Sequence, residues 1–226
     1  MNNLIKINKL NKKFKLSNND NLLIFENLDL NIDKNSITSI IGPSGCGKST
    51  LLNILGLLDS SYNGDYIFNN QNIQKMRNSH LSKIRNRNIG FIHQFFYLIP
   101  ELSVLENIKL PALINNSNDA LITSDAIKLL ETLEIDEKQN MKPNLLSGGE
   151  QQRVAIARSL INKPELILAD EMTGNLDEST SDEIIEFFLN FIKKNNLSLI
   201  YVTHNSKYAE MADFQYELKN KTLLKK

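Results

Sequence analysis

Several residue types and patterns are rare or missing in this chain of 226 residues, and each absence excludes a class of protein. Cysteine occurs once, at Cys46, so no disulfide can form within the chain, and the three histidines lack the spacing of a zinc site. Lys and Arg together number 26, as do Asp and Glu, so no overall basic field would attract nucleic acid or an anionic membrane. The longest apolar stretch, at 51–58, is far shorter than the roughly 20 residues of a membrane-spanning helix. Residues 1–15 contain no signal-peptide segment, so we expect a soluble chain that is not exported. From the charge balance we expect no nucleic-acid partner.

The apolar pattern predicts strands that alternate with helices. Hydrophobic residues make up 41% of the chain, enough to fill the core of one domain or of a domain with an inserted subdomain. Such alternation implies a mostly parallel sheet and an α/β fold. The predicted strands are 4–10, 22–32, 36–41, 66–69, 89–92, 166–169 and 197–202, with a turn at 17–21 and a hairpin at 216–224 that turns at Asn220. The predicted helices are 49–58, 73–86, 104–110, 124–133 with Ser124 as N-cap, 147–160, and an amphipathic helix with Ile184, Phe188 and Phe191 on one face.

A glycine-rich loop between a predicted strand and a predicted helix indicates a phosphate site. Its glycines let backbone N–H groups converge on phosphate oxygens, and the helix adds its positive N-terminal end. Lys48 would contact the β- and γ-phosphates, and Ser49 would offer a hydroxyl to Mg²⁺. The candidate phosphate-binding residues are Gly42, Pro43, Ser44, Gly45, Cys46, Gly47, Lys48, Ser49 and Thr50.

Two further segments carry groups suited to nucleotide hydrolysis. Asp170 and Glu171 end an apolar strand, where parallel sheets bind ligands, so Asp170 is a candidate for orienting Mg²⁺ and Glu171 for activating the attacking water. Ser147 and Glu150 match a capping box that starts a helix, and the intervening Gly148 and Gly149 leave that helix end open to an anion. Two phosphate-binding edges in one chain suggest a head-to-tail pair of chains.

The segment 146–153, Leu-Ser-Gly-Gly-Glu-Gln-Gln-Arg, lies between the phosphate loop and the Asp-Glu strand and resembles the signature of the ABC ATPases. The resemblance covers nearly the whole chain. It implies a RecA-like P-loop NTPase core at 1–93 and 159–226, with an N-terminal antiparallel β subdomain, and an inserted α-helical subdomain at 94–158. It also implies a homodimer in which the signature of one subunit, Ser147, Gly148, Gly149 and Glu150, closes on ATP and Mg²⁺ held by the other.

Other positions match the family's functional residues. By this resemblance Gln94 senses Mg²⁺ and the γ-phosphate, and Asp177 lies in the D-loop at the dimer contact. His204 matches the switch histidine that contacts the γ-phosphate, and Phe14 lies where an aromatic ring stacks on adenine. The resemblance thus assigns catalysis to Glu171, His204 and Gln94, and Mg²⁺ to Ser49, Gln94 and Asp170.

The sequence departs from the family pattern at two positions. Met172 stands where proline usually follows the catalytic glutamate, and Asn205 follows His204 where an acidic residue is common. Neither change removes a phosphate or metal ligand. Because a proline fixes φ, we expect Met172 to loosen the turn into the D-loop. This change should alter the coupling within the dimer sooner than it abolishes ATP binding.

Within the ABC ATPases, segment 94–108 resembles the group of lipoprotein-releasing, macrolide-export and cell-division ATPases, and most closely the lipoprotein-releasing type. That resemblance implies a peripheral location on the cytoplasmic face of the inner membrane. It implies two integral-membrane permease subunits as partners and a lipoprotein cargo that the chain meets only indirectly. The clustered residues Phe95, Phe96, Tyr97 and Leu98 are a candidate docking patch for a helix of a permease subunit, although they could instead pack within the inserted subdomain.

Three alternatives use the same phosphate loop. A P-loop nucleotide kinase leaves segment 146–153 and His204 unexplained. A DNA-repair or translation ABC protein would usually carry a long coiled-coil insertion or tandem cassettes, and this chain has neither. A macrolide- or peptide-export ATPase, or a regulatory ATPase of the cell-division type, would have the same motor residues, so this alternative stays open.

Overall fold

The structure, a computed structural model, describes residues 3–17, 20–114 and 118–226. The chain divides into two compact units, here called the first unit (Met1–Lys83 and Ile192–Lys226) and the second unit (Ile84–Phe191). Both contain strands and helices, which confirms the predicted α/β class. The strands are β1 Asn3–Lys15, β2 Asn21–Asp33, β3 Ile37–Ile41, β4 Asn63–Phe68, β5 Gln71–Asn72, β6 Ile89–Ile92, β7 Leu166–Asp170, β8 Ser198–Val202, β9 Phe214–Lys219 and β10 Thr222–Lys225. The helices are α1 Lys48–Leu55, α2 Asn78–Asn88, α3 Val104–Leu113, α4 Asp119–Thr132, α5 Gly148–Leu160, α6 Glu178–Lys194 and α7 Ser206–Ala209.

The first unit combines an antiparallel sheet with a mostly parallel one. The antiparallel sheet has the order β2-β1-β4-β5, as expected for an N-terminal β subdomain. In the other sheet β3 pairs in parallel with both β8 and β9, and β10 closes an antiparallel hairpin with β9. The hairpin turns at Asn220 and Lys221, whose φ angles of 49° and 65° are left-handed, so the predicted turn is confirmed. The predicted turn at 17–21 includes residues 18 and 19, which lie outside the described residues.

The second unit places a parallel strand pair among helices. Strands β6 and β7 run in parallel, and every residue of β7 before Asp170 is buried, as the apolar run predicted. Helix α5 packs against α3, α4 and β6. Gly90 is needed here because a Cβ at this position would lie 2.4 Å from the carbonyl oxygen of Ser159. The helices of segment 94–158 are observed. That this segment forms a separate inserted subdomain stays a prediction.

Two sequence predictions differ from the structure. Ser124 is not an N-cap, because α4 begins at Asp119, where the side chain of Asn118 accepts a hydrogen bond of 3.0 Å from the Ala120 N–H. The predicted helix at 73–86 is broken by the extended backbone of Met76, which separates a short 3₁₀ turn from α2. The predicted amphipathic character of α6 is confirmed, because Ile184 and Phe188 are buried and Phe191 is half-buried. None of the helices formed by the described residues has the length and apolar character that a membrane span requires.

Capping boxes start both α3 and α5. In α5 the Ser147 hydroxyl accepts from the Glu150 N–H at 3.3 Å, and the Glu150 carboxylate accepts from the Ser147 N–H at 2.7 Å. In α3, Ser103 and Glu106 form the same pair of bonds at 3.2 and 2.6 Å. These bonds satisfy N–H groups that the helix itself leaves without partners. The capping box predicted from Ser147 and Glu150 is confirmed.

A buried amide fixes the loop that precedes α3. Asn107 is fully buried, and its Oδ1 accepts from the Ile99 N–H at 2.7 Å. Its Nδ2 lies within hydrogen-bond distance of the carbonyl oxygens of Ile99, Leu102 and Ser103, at 3.1, 3.2 and 3.0 Å. One side chain thus provides partners for backbone groups that would otherwise be buried unpaired.

We predict that Asn107→Ala lowers the free energy of unfolding by about 2–3 kcal/mol, because it leaves these loop groups without partners. Urea unfolding followed by circular dichroism measures the loss. The control is Asn140→Ala at an exposed site, which should change stability by less than about 0.5 kcal/mol. Equal losses in the two variants would contradict the role assigned to Asn107.

The second prediction concerns the pH dependence of the α5 capping box. The backbone hydrogen bond from Ser147 lowers the pKa of Glu150 below its usual value of 4.5. A lowered folded-state pKa means that the stabilisation is complete above the unfolded pKa and disappears as the pH falls through the folded value. Glu150→Gln keeps an acceptor oxygen but loses the charge, so it should cost up to about 1 kcal/mol near neutral pH, and this cost should shrink as the pH falls through the lowered folded-state pKa.

Urea unfolding across this pH range measures the difference between the wild-type protein and Glu150→Gln. Glu106→Gln in α3 serves as the parallel case, because a backbone hydrogen bond from Ser103 also lowers the pKa of Glu106. A difference that persisted unchanged at low pH would show that the charge is not responsible.

Candidate functional site

The phosphate loop lies in the first unit, between the end of β3 and the start of α1. Gly45 and Gly47 have φ angles of 75° and 109°, which glycine adopts without strain. Gly42 and Gly47 are also required by packing. A Cβ on Gly42 would lie 2.6 Å from the Leu218 carbonyl oxygen, and one on Gly47 would lie 2.8 Å from the Ile24 side chain. The sequence motif therefore adopts the strand–loop–helix arrangement that a phosphate site requires.

Lys48 lies over this loop. Its Nζ donates to the carbonyl oxygens of Gly42 and Pro43, at 2.9 and 3.1 Å, and the side chain is buried. The neighbouring Ser49 is exposed in the first turn of α1. An ammonium group, a hydroxyl group and the N-terminal end of a helix are donors suited to an anionic phosphate chain.

The first unit also places His204 at the edge where the phosphate loop begins. The parallel strands β3 and β8 are paired, and the Thr203 N–H donates to the Ile40 carbonyl oxygen at 3.2 Å. His204 follows directly and is exposed. The departure at Asn205 has a structural explanation, because its side chain accepts from the Lys207 N–H at 2.9 Å and caps α7. Asparagine and aspartate are equally good at this position of a helix.

Phe14 lies near the end of β1, opposite Leu22 of β2. Its side chain is 42% exposed and Leu22 is also exposed, so neither is a core residue of the first unit. This exposure leaves the ring accessible to a planar ligand.

In the second unit, Gln94 and the two carboxylates follow paired strands. Ile92 of β6 is the register partner of Ala169 of β7, so Gln94 and Asp170 leave the strands at the same edge. Glu171 comes next, with a left-handed φ of 42°. Glutamate rarely adopts this conformation, which here marks the turn at the end of β7.

The turn after Glu171 packs directly against Gln94. The Gly174 N–H donates to the Glu171 carbonyl oxygen at 2.8 Å, and a Cβ on Gly174 would lie 3.1 Å from Gln94 Nε2. Asn175 Nδ2 donates to the Gln94 carbonyl oxygen at 2.7 Å. Met172 is buried in this turn. These contacts join the predicted Q-loop and D-loop residues, while the loosening expected from Met172 stays a prediction.

The predicted signature lies beside the D-loop. A Cβ on Gly148 would be 3.0 Å from the Leu176 side chain, and one on Gly149 would be 2.8 Å from the Thr180 side chain. Asp177 caps α6 by accepting from the Thr180 N–H and hydroxyl, at 3.0 and 2.6 Å. The hydrogen bond from the Thr180 side chain is the main cause of a lowered pKa at Asp177. The carboxylate therefore remains charged at neutral pH and is oriented by its own helix.

The candidate docking patch is partly exposed. Phe95 and Tyr97 are 59% and 65% exposed, whereas Phe96 and Leu98 are half-buried. Arg158 of α5 donates to the carbonyl oxygens of Phe96 and Tyr97, both at 2.6 Å. The backbone of the patch is thus fixed to α5, while two aromatic rings face outward.

Sequence reasoning missed several residues that shape these segments. Arg158 and Asn107 both hydrogen-bond to the backbone of the loop before α3. The ring of His93 stacks on Phe91 and meets the edge of Tyr97, with centroid distances of 5.6 and 5.2 Å. Burial lowers the pKa of His93, and the nearby Asp170 carboxylate opposes that change. The signals available in the sequence were an arginine in the apolar part of α5 and a histidine adjoining Gln94.

The donor set for Mg²⁺ consists of oxygen atoms. Among the described residues no group of three or more His, Cys, Asp or Glu side chains could hold a metal ion. The candidates Ser49, Gln94 and Asp170 instead offer one hydroxyl, one amide and one carboxylate oxygen. Mg²⁺ typically takes few protein oxygens and completes its shell with water and phosphate, so these residue types fit that ion.

Comparisons with known proteins identify the family to which the chain is similar. The ABC transporter family model matches residues 25–174. The lipoprotein-releasing system ATP-binding protein LolD of Rickettsia bellii is 42% identical over 222 residues, covering 98% of both chains. LolD of Treponema denticola is 41% identical over 215 residues, covering 95% of both.

Solved structures show the same relationship. The dimeric structure of MJ0796, a bacterial ABC transporter cassette, matches with a TM-score of 0.88 and 37% identity, covering 97% of this chain and 96% of that chain. A dimeric post-hydrolysis state of MJ0796 bound to ADP and Pi matches with a TM-score of 0.89 and 35% identity, covering 98% and 97%. The family model covers more than half of the sequence, and the relatives align over nearly all of it. The chain therefore belongs to the ABC transporter family.

Proposed function

We propose that this chain is the ATP-binding and ATP-hydrolysing subunit of a lipoprotein-releasing ABC transporter. The observation that carries the proposal is the similarity to LolD proteins, 42% identity across 98% of both chains for the Rickettsia bellii relative. The candidate motor residues of the chain lie on loops that leave parallel strands or begin helices, where ligands of α/β proteins bind. The reaction is the hydrolysis of ATP by water to ADP and phosphate.

In this proposal the phosphate loop binds the triphosphate of ATP. Backbone N–H groups of the loop, from Ser44 onward, and the N-terminal end of α1 would face the phosphate oxygens. Lys48, which donates to loop carbonyl oxygens at 2.9 and 3.1 Å, would exchange these acceptors for the β- and γ-phosphates. Ser49, Gln94 and Asp170 would hold Mg²⁺, which neutralises developing charge on the phosphates when it is bound.

Glu171 is the proposed general base. Its carboxylate would accept a proton from the water that attacks the γ-phosphorus, while the bond to the ADP oxygen breaks. Asp170 is the last residue of β7 and Glu171 follows it with a left-handed backbone, and the proposal gives these two consecutive carboxylates separate roles. Gln94 would orient the water and sense the γ-phosphate, and His204 would contact the γ-phosphate.

The active form is a homodimer. We propose that the helix end at Ser147, Gly148 and Gly149 contacts ATP bound by the partner subunit, as the family resemblance implies. The solved relatives include dimeric cassettes, one of them in a post-hydrolysis state. In the capping box the Glu150 carboxylate accepts a hydrogen bond of 2.7 Å from the Ser147 N–H, so this carboxylate is folded back onto its own helix end.

The membrane partners are two integral-membrane permease subunits of the LolC/LolE type, and the ATPase is peripheral on the cytoplasmic face of the inner membrane. The docking patch at Phe95, Phe96, Tyr97 and Leu98 is the proposed contact. Its support is the combination of exposed aromatic rings with a backbone fixed by Arg158, since a rigid loop loses little entropy when a partner binds. ATP-driven closure of the dimer would move the permeases and release lipoprotein.

The assignment of Glu171 predicts the behaviour of Glu171→Gln. The variant keeps the size of the side chain but cannot accept the proton, so turnover should fall by at least about 100-fold while ATP binding is retained. Size-exclusion chromatography with Mg-ATP should show an accumulated dimer, and phosphate release measures turnover. The control is Glu137→Gln at an exposed site, which should retain full activity. Near-normal hydrolysis by Glu171→Gln would overturn the assignment.

The membrane partner is tested by an affinity pull-down from detergent-solubilised membranes of the source cell, using Glu171→Gln with Mg-ATP. We expect lipoprotein-releasing permease subunits to co-purify. The double change Phe95→Ala and Tyr97→Ala should reduce their recovery, because exposed aromatic anchors dominate such contacts. Leu121→Ala, at a site 67% exposed in the same unit, is the matched control. Recovery of cell-division or drug-export subunits instead would keep the ATPase mechanism and overturn the pathway.

A further inference from the structure

One lysine of the first unit is buried where no phosphate role requires it. The Lys12 side chain is only 2% exposed, and its Nζ lies 2.6 Å from the Asp59 carboxylate. The same Nζ donates to the Ser61 carbonyl oxygen at 2.8 Å. Asp59 is itself fixed, because its Oδ1 accepts from the Ser61 N–H at 2.8 Å. The ammonium group therefore has a single well-defined position.

That position is over the ring of Phe14. Lys12 Nζ lies 4.5 Å from the centroid of the ring, within the range of a cation–π interaction. The ring is 42% exposed, although the ammonium that contacts it is buried. The cation thus occupies one side of the ring and leaves ring surface open to solvent.

A cation held in this way has two effects on the ring. It restricts the rotation of an otherwise exposed side chain, so less conformational entropy is lost when a ligand stacks on the ring. It also draws π-electron density towards its own side, which favours stacking of an electron-rich aromatic system on the other side. Both effects act on a planar ligand and neither acts on a phosphate chain.

We propose that Lys12 is a positioning residue for the base of the bound nucleotide, acting through Phe14. The inference rests on the proposed function, ATP binding, and on the stacking of Phe14 on adenine that the family resemblance implies. Lys12 does not touch the nucleotide. Its pair with Asp59 anchors β1 to the segment that follows α1, and this anchor sets the orientation of the stacking ring.

The test compares two ligands that differ in the base. Mg-ATP and Mg-tripolyphosphate are titrated by calorimetry against the full-length wild-type protein and Lys12→Met. We expect the Kd for ATP to rise about three- to ten-fold in the variant and the Kd for tripolyphosphate to change by less than about two-fold. Lys12→Arg keeps a buried cation and should retain most of the wild-type preference for ATP. Lys13→Met, at the adjacent exposed lysine, is the control and should change neither Kd.

If the Lys12–Asp59 pair has a purely structural role, Lys12→Met should raise the Kd of both ligands by the same factor. That result would overturn the proposal. Unchanged binding of both ligands would also overturn it. Asp59→Asn provides a second variant that loosens the anchor while keeping the lysine, and it should lower the preference for ATP in the same direction. This keeps the proposal testable if Lys12→Met does not fold.

Phe14→Ala separates failure of the proposal from failure of the proposed function. In the Phe14→Ala background, adding Lys12→Met should have no further effect on the ratio of the two Kd values. If Phe14→Ala lowers the preference for ATP and Lys12→Met does not, only the role of Lys12 is wrong. If Phe14→Ala has no effect on the ratio, the stacking assignment and the role of Lys12 are both wrong. If the wild-type protein binds neither ligand, the proposed function itself is wrong.

Discussion

The tight turn that follows β7 is the constraint on which the candidate chemistry of the second unit depends. Glu171 adopts a left-handed backbone, and its carbonyl oxygen accepts from the Gly174 N–H at 2.8 Å. Gly174 can then approach Gln94 so closely that a Cβ would lie 3.1 Å from the amide nitrogen. The turn begins at Glu171 and packs against Gln94, so a change in the turn would move both the proposed base and the proposed γ-phosphate sensor.

The same turn determines how the signature lies. It leads into Leu176 and Asp177, and the Asp177 side chain caps α6. Gly148 and Gly149 pack against Leu176 and Thr180, whose side chains would have to shift to admit a Cβ at either position. Substitution in the D-loop should therefore affect the helix end that is proposed to meet the partner's ATP. Met172 is buried at the start of this turn, where the predicted loosening by the lack of a fixed proline φ would act.

Local sequence signals predicted the parts of the structure that depend on nearby residues. The Ser147–Glu150 box and the turn at Asn220 each involve residues within a few positions of one another, and both were predicted. The start of α4 was missed because Asn118 and Ser124 are both good N-caps, and the choice between them depends on packing that includes Ile122 in the core.

The residues that sequence analysis missed at the candidate site depend on distant partners. Lys12 meets Asp59, and Arg158 meets the carbonyl oxygens of Phe96 and Tyr97. A lysine in a strand and an arginine in a helix are usually solvated, so residue type alone predicted neither contact, and only the apolar neighbours of Arg158 in α5 gave a signal. Only the folded chain shows that each cation holds an exposed aromatic segment in place.

The two interpretations of segment 146–153 use different atoms and do not compete. As a helix cap, the Ser147 hydroxyl oxygen accepts from the Glu150 N–H at 3.3 Å. A hydroxyl that accepts one bond still has its own proton to donate, and a phosphate oxygen is an acceptor. The Glu150 carboxylate bonds to the Ser147 N–H, whereas the N–H groups of Gly148 and Gly149 begin the helix, where its dipole favours an anion. The capping box therefore preorganises the helix end, so that in the proposed dimer little further ordering is needed when the partner's ATP is bound.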